Sequence, residues 1–313
     1  MLVQDFVTDV LSQRAWERGG IRAPHKSLAV LYALGQAARG TRLSRYRDAE
    51  GSIVALLEKF GPQRESHHPD QPVWRLASKD GIRTRFWNLT NAEQVRTDAS
   101  NNPRIKDLRE YVSFGLCDEI TDLIEAQPAI GRYIGERIAE QLVPATIREE
   151  LLAEVKLDAV EDNPWLSLPI DGEPDPLARE RERVERSRRD ARFRARVLDA
   201  YDYRCAVCSV QPCMNGKAFG LEAAHIHWVQ AGGRDETQNG ICLCRMHHIA
   251  LDRGAIGFDA DCRVAVSSRL NSSAETETLF NRFAGVRMQL PHNNADHPWE
   301  TAVSWHRTQV FKP

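Results

Sequence analysis

YDYRCAVCSVQPCMNGKAFGLEAAHIHWVQAGGRDETQNGICLCRMHHIALDRGAIGFD, residues 201–259, is the stretch on which the reading of this chain turns. Cys205 and Cys208 form a CxxC pair, and Cys244 with His247 forms a CxxH pair thirty-six residues after Cys208. Each pair pinches a metal from one chain turn, and four soft or borderline donors in two pairs suit a tetrahedral zinc ion. Such a set leaves no open position, so the expected ion is structural. The alternative, buried free thiols, requires four ligand-type residues to fall at zinc spacing by chance. Six of the seven cysteines lie between Cys205 and Cys262, with Cys117 apart; an odd, clustered set argues for a metal rather than a disulfide framework.

Beside those pairs stand residues that a structural zinc site does not need. His225 lies in LEAAHI, Asn239 lies in QNGICLC fourteen residues on, and His248 follows nine residues later. This order resembles the HNH endonucleases, whose ββα-metal fold carries the first His on a strand, the Asn on the intervening loop and the last His on a helix. The resemblance implies that His225 is the general base toward the attacking water, that Asn239 holds the His225 ring by a hydrogen bond, and that His248 binds a catalytic Mg2+ or Mn2+ ion. His247 and His248 both project within about 60° of Cys244 around a helix, so geometry leaves open which of them joins the zinc set. Family members commonly carry a Cys-His pair here, which implies His247 for zinc and His248 for catalysis. Many HNH sites also have an acid just before the first histidine, where this chain has Ala224. Glu222, placed by strand alternation on the face opposite His225, and Asp252, one helical turn beyond His248, are the alternatives for a second ligand. Asp252-Arg253-Gly254 also reads as a salt bridge and helix stop, and His227 and Trp228 as packing or backbone-contact residues.

The chain is long enough for two cores at 313 residues, and 42% hydrophobic with 27% charged residues is the composition of a folding globular protein. No window approaches the ~18 consecutive apolar residues of a bilayer span, and the start MLVQDFVTDVLSQRAWERG is too polar for a secretory signal, so the expected setting is cytoplasmic, without a membrane partner. The formal charge of -2 conceals a separation. Residues 14–85 hold 14 Lys/Arg against 7 Asp/Glu, whereas residues 111–162 hold 4 against 12. A basic face is expected from the first segment, because the local field rather than the net charge meets phosphates.

Residues 1–160 read as mainly helical. SLAVLYALGQAARG (27–40) and GSIVALLEKFG (51–61) are apolar helices ending at glycine, PVWRLASKDGIRTRFW (72–87) reads as a two-armed hairpin around Lys79-Asp80-Gly81, and Pro144 divides RYIGERIAEQLVPATIREELLAEVKL into two helices. EDNPWLSLPIDGEPDP (161–176) marks a boundary, and residues 177–198 carry nine arginines and four acids, either a solvated, internally paired helix or one lying along phosphates. The blocks RGGIRAPHKSLAVLYAL, FGPQRESHHPDQPVWRL and LVPATIREELLAEVKLD are similar to the sulfur-binding domains of modification-dependent restriction enzymes. That similarity implies recognition of phosphorothioate-modified DNA. Pro144 would form an apolar cup for the sulfur with Val143 and Ile147, although an aromatic that family members often carry before this proline is absent. Arg18, Arg22, His25, Lys26, Arg64, His67 and His68 would grip neighbouring phosphates and base edges.

The resulting expectation is an α+β chain: a mainly helical DNA-recognition domain with a β-hairpin over 1–160, a linker and charged helix start over 161–185, and a zinc-stabilised ββα-metal HNH nuclease domain over 186–313. Its expected partner is modified double-stranded DNA, its cofactors structural Zn2+ and catalytic Mg2+ or Mn2+, and a homodimer stays open. A nuclease reading 5-methyl- or 5-hydroxymethylcytosine and a non-catalytic zinc-stabilised DNA-binding protein are the alternatives.

Overall fold

The computed structural model describes residues 3–12, 24–79, 82–160, 189–271 and 273–313, and the chain divides into two compact units, Met1–Glu173 and Pro174–Pro313. The expected linker over 161–185 lies outside the described residues.

The first unit is built on an apolar helix. After α1 (Val3–Ser12), α2 (His25–Ala37) buries Leu28, Ala29, Val30, Leu31 and Leu34, and six other elements of the unit pack against it. A helix apolar on all sides belongs in the centre of a unit rather than on its surface. β1 (Ser44–Arg45), α3 (Tyr46–Phe60) and α4 (Asp70–Arg75) follow, then the short pair β2 (Ser78–Lys79) and β3 (Ile82–Arg83). The expected hairpin is thus reduced to two-residue strands, and its first arm is helical. Val73 and Leu76 bury their side chains from that arm, and the Val73 carbonyl accepts the Trp87 indole N–H at 3.0 Å, so tertiary packing overrides the strand-like composition.

β4 (Trp87–Leu89), α5 (Ile105–Tyr111) and β5 (Ser113–Leu116) complete an antiparallel sheet of order β1-β5-β4, on which Trp87 stacks against Phe114. The unit ends with α6 (Asp118–Ala126), α7 (Pro128–Glu140) and α8 (Ala145–Glu154). Pro144 caps the start of α8, where its missing N–H costs the helix nothing.

In the second unit, helical residues 189–200 (α9) bury Phe193, Val197 and Leu198. The small hairpin β6 (Cys213–Met214) and β7 (Lys217–Ala218) leads to β8 (Leu221–His225). β8 pairs antiparallel with β9 (Gly240–Cys244) in a register from Leu221↔Cys244 to His225↔Gly240, and α10 (Arg245–Asp252) follows without a break. These three elements are the ββα core. β10 (Ile256–Phe258) pairs with β11 (Val264–Val266), and α11 (Ala274–Leu279) and α12 (Glu300–Gln309) close the unit. The α12 residue His306 donates from Nε2 to the Leu251 carbonyl and so ties α12 to the end of α10. The chain is therefore mixed helix and sheet, with a helical first unit and an HNH-type second unit.

Candidate active site and metal centre

The two adjacent histidines of α10 face different chemistry. Cys244 immediately precedes the helix, and His247 sits in its first turn, facing the Cys205–Cys208 turn. The Ala206 N–H donates to the Cys242 carbonyl and the Ser209 N–H to the Cys205 carbonyl, which anchors that turn to β9. The ligand atoms of Cys205, Cys208, Cys244 and His247 all lie within 4.8 Å of one another, with His247 Nδ1 3.1 Å from the Cys244 sulfur and 3.6 Å from that of Cys205.

His247 Nε2 donates to the Leu279 carbonyl at 2.9 Å, which turns Nδ1 toward the thiols and leaves it as the coordinating nitrogen. Burial disfavours a charged His247, and the facing Cys205, Cys208 and Cys244 sulfurs outweigh it and raise its pKa. Three thiols and one imidazole are the donor set of tetrahedral zinc, and the residues fit that ion.

His248, one residue on, turns to oxygen. Its Nδ1 lies 2.7 Å from Glu222 Oε2 on β8, and its Nε2 lies 3.3 Å from Asp252 Oδ2 one turn along α10. Burial again opposes protonation, but the Asp252 and Glu222 carboxylates outweigh it and raise the pKa. The two carboxylates meet opposite nitrogens of the ring, so a hard divalent cation bound at either nitrogen would meet one carboxylate, as a mixed N/O pair. Both acids considered for the position vacated by Ala224 thus reach the same histidine. Asp252-Arg253-Gly254 also ends the helix, with Gly254 at φ 72°.

His225 ends β8. Its Nε2 lies 2.9 Å from Asp235 Oδ1, and its ring stacks on Phe193 of α9 at 4.0 Å between centroids and 7° between planes. Gly240, opposite His225 in the register, permits that approach, since a Cβ there would lie 2.3 Å from a Val197 methyl. Burial lowers the His225 pKa, and Asp235, by hydrogen bond and charge, offsets part of that fall.

Asn239 occupies a different place from the one its expected role requires. Its Oδ1 accepts from the His227 N–H, and its Nδ2 donates to the carbonyls of His227 and Arg234, each at 2.9 Å. Both amide hydrogens are used on backbone, so Asn239 clamps the 227–239 loop, and the side chain on the His225 ring is Asp235. His227 and Trp228 are packing residues as expected: the His227 ring stacks on Trp305, and Trp228 meets Trp305 edge-on.

In the first unit, Arg18 and Arg22 lie outside the described residues. His25 opens α2, with Lys26 beside it, and Arg64 and His67 are close enough to His25 to depress its pKa. Burial is the larger cause, and together they lower it to about 4, so His25 is neutral at neutral pH. His68 is exposed on the same loop, and Pro144 is half-buried between the buried Val143 and Ile147.

The expected basic face is partly neutralised. Arg42 pairs with Asp122 and Glu125, and Lys59 with Glu150 at 3.0 Å and Glu154 at 2.8 Å, so folding brings cations of the first charged segment onto acids of the second.

Residues 3–160, half of the chain, match the family model described as ScoMcrA-like, DNA sulfur-binding domain, and residues 205–259 match the model HNH endonuclease. No curated protein sequence matches the chain. Among solved structures, it is similar to the sulfur-binding domain of ScoMcrA complexed with phosphorothioated DNA, with 24% identity and a TM-score of 0.41 over 48% of this chain and 98% of that one. It is also similar to the type IV phosphorothioation-dependent restriction endonuclease ScoMcrA, with 23% identity and a TM-score of 0.37 over 54% and 35%. A third likeness, to the modification-dependent restriction endonuclease TagI, has 22% identity and a TM-score of 0.30 over 37% and 36%. The chain thus spans about a third of the length of those two endonucleases.

Proposed function

Because the chain belongs to the ScoMcrA-like DNA sulfur-binding domain family and carries an HNH endonuclease domain, we propose that it is a modification-dependent restriction endonuclease that binds phosphorothioated DNA through its first unit and hydrolyses phosphodiester bonds with its second. The observation that carries the catalytic half is the pairing, on one ββα core, of a carboxylate-held His225 with a carboxylate-flanked His248.

His225 accepts a proton from the attacking water. Its burial against Phe193 keeps it neutral near neutral pH, the state a base must occupy before it acts. His248, with whichever of Glu222 and Asp252 shares its coordinating nitrogen, would hold Mg2+ or Mn2+, which when bound supplies charge stabilisation at the scissile phosphate and leaving oxygen. Cys205, Cys208, Cys244 and His247 would hold structural zinc, and Asn239 fixes the loop that carries Asp235. The shared Cys244–Asp252 segment makes the structural ion the support of the catalytic face.

Sulfur is larger, softer and more weakly hydrated than oxygen, so an apolar surface at the half-buried Pro144 of the first unit, backed by the buried Val143 and Ile147, favours it, while dehydrating a phosphate oxygen there is costly. Arg64, His25, Lys26, His67 and His68, with Arg18 and Arg22, supply the polar contacts around that cup. The test is cleavage of matched duplexes, unmodified, phosphorothioated and cytosine-modified, with and without manganese. Manganese-dependent cutting confined to the phosphorothioated duplex, and lost in His225→Ala, is expected. Cutting only of the cytosine-modified duplex would overturn the sulfur reading.

A further inference from the structure

The backbone of the residues between β8 and β9 is built to deliver one carboxylate. Gly232 has φ 93°, and a Cβ on Gly233 would lie 1.8 Å from the His227 carbonyl oxygen, so the chain can double back here only with glycines. The returning segment is pinned from two sides. Asn239 Nδ2 donates to the Arg234 carbonyl, and an Arg196 guanidinium from α9 donates to the Asp235 carbonyl. The outcome is Asp235 Oδ1 at 2.9 Å from His225 Nε2, with the Phe193 ring stacked on the same imidazole.

We propose that Asp235 is the positioning residue of His225, holding the imidazole through Nε2–H so that Nδ1 is the nitrogen that takes the proton. This rests on the reading of His225 as general base. Phe193 fixes the plane of the ring, but an apolar face cannot choose between its two nitrogens. A carboxylate can, because it only accepts and therefore requires the hydrogen on Nε2. Water then gives its proton to Nδ1 as its oxygen bonds to phosphorus; the bond from phosphorus to the leaving oxygen breaks, and that oxygen is protonated from solvent. The imidazolium so formed faces Asp235 directly, with Asp190 of α9 and Asp252 of α10 as the other charged groups that act on it. Asp235 is also only half-buried, so its role is compatible with a water-filled cleft.

Asp235→Asn keeps the size of the side chain but removes its charge and its acceptor-only character. Cleavage should fall by about 100-fold or more, as for a mis-held catalytic histidine. DNA affinity and bound zinc should stay at wild-type levels, and the acid limb of the pH–rate profile should move to lower pH. Asp235→Glu should recover part of the rate. In parallel, 15N NMR of the imidazoles should show His225 protonated at Nε2 in the wild type and a mixed tautomer in Asp235→Asn. Wild-type cleavage by Asp235→Asn, or a rate loss with an unmoved pH profile and an unchanged His225 tautomer, would overturn the proposal. If the wild-type protein cuts no duplex, the nuclease reading fails separately, and the tautomer comparison alone decides whether Asp235 sets the state of His225.

Discussion

The two units hold their candidate functional groups in different ways. In the second, Cys205, Cys208, His225, Asp235, Asn239, Cys244, His247 and His248 fall within 44 residues, and each is fixed by short contacts to a strand, a helix or a tight loop. In the first, the described candidates come from three separated blocks, on the start of α2, the loop before α4 and the start of α8. The contrast follows from the tasks. Moving a proton at a phosphorus centre depends on placement to a fraction of an ångström, which needs a rigid and locally encoded frame. Gripping a charged polymer depends on summed fields and on the last few atoms of long side chains, which distant segments can supply.

The largest effect that sharpens this contrast is loss of the thiol site. Cys208→Ser should release the bound metal and destabilise the second unit, since the binding energy at stake in structural zinc sites is on the order of 10 kcal/mol. The first unit should unfold as before. Elemental analysis combined with calorimetry checks both halves, and folded wild-type protein without zinc would break the account of the frame.

Acid titration gives the next effect. His306 is fully buried and its pKa is lowered to about 4, chiefly by burial, only partly offset by its bond to the Leu251 carbonyl and by Asp252. A histidine depressed in the folded state stabilises above its ordinary pKa of about 6.5, and that contribution is lost as pH falls through the window down to about 4. It amounts to about 3 kcal/mol. Urea unfolding of the second unit should weaken by that order between pH 7 and pH 4, and His306→Leu should flatten the dependence.

How far each unit was legible follows the same line. The CxxC and CxxH pairs and the His-Asn-His order are local patterns, so the chemistry of residues 201–259 is readable before any fold is known. Asp235 was not, because its contact with His225 depends on a reversal at Gly232-Gly233, and no period or spacing encodes where a loop returns. The asparagine was assigned to the ring for the same reason. Strand alternation placed Glu222 on the face opposite His225, a rule that describes one strand and says nothing of α10 packing beside it. In the first unit the helices around α2 and the break at Pro144 were plain from apolar runs and proline. The basic face was overestimated because counting charges along the chain cannot reveal that Arg42 and Lys59 meet acids some 80 to 95 residues away.

That pairing supplies the smallest effect. Arg64→Ala should lower DNA affinity and reduce the slope of log affinity against log salt by about one, as for one lost phosphate contact. Arg42→Ala, whose guanidinium is engaged by Asp122 and Glu125, should leave the slope unchanged. Equal slopes for both variants would remove the distinction between engaged and available cations.

The central claim is that the first unit discriminates sulfur from oxygen at one atom while the second performs the chemistry. It is tested most directly by titrating full-length His225→Ala protein, at fixed salt and in chelator, with phosphorothioated and unmodified duplexes of one sequence. The account predicts tighter binding to the phosphorothioated duplex and a preference that shrinks when Pro144→Ser is added. Equal affinity for the two duplexes would contradict it.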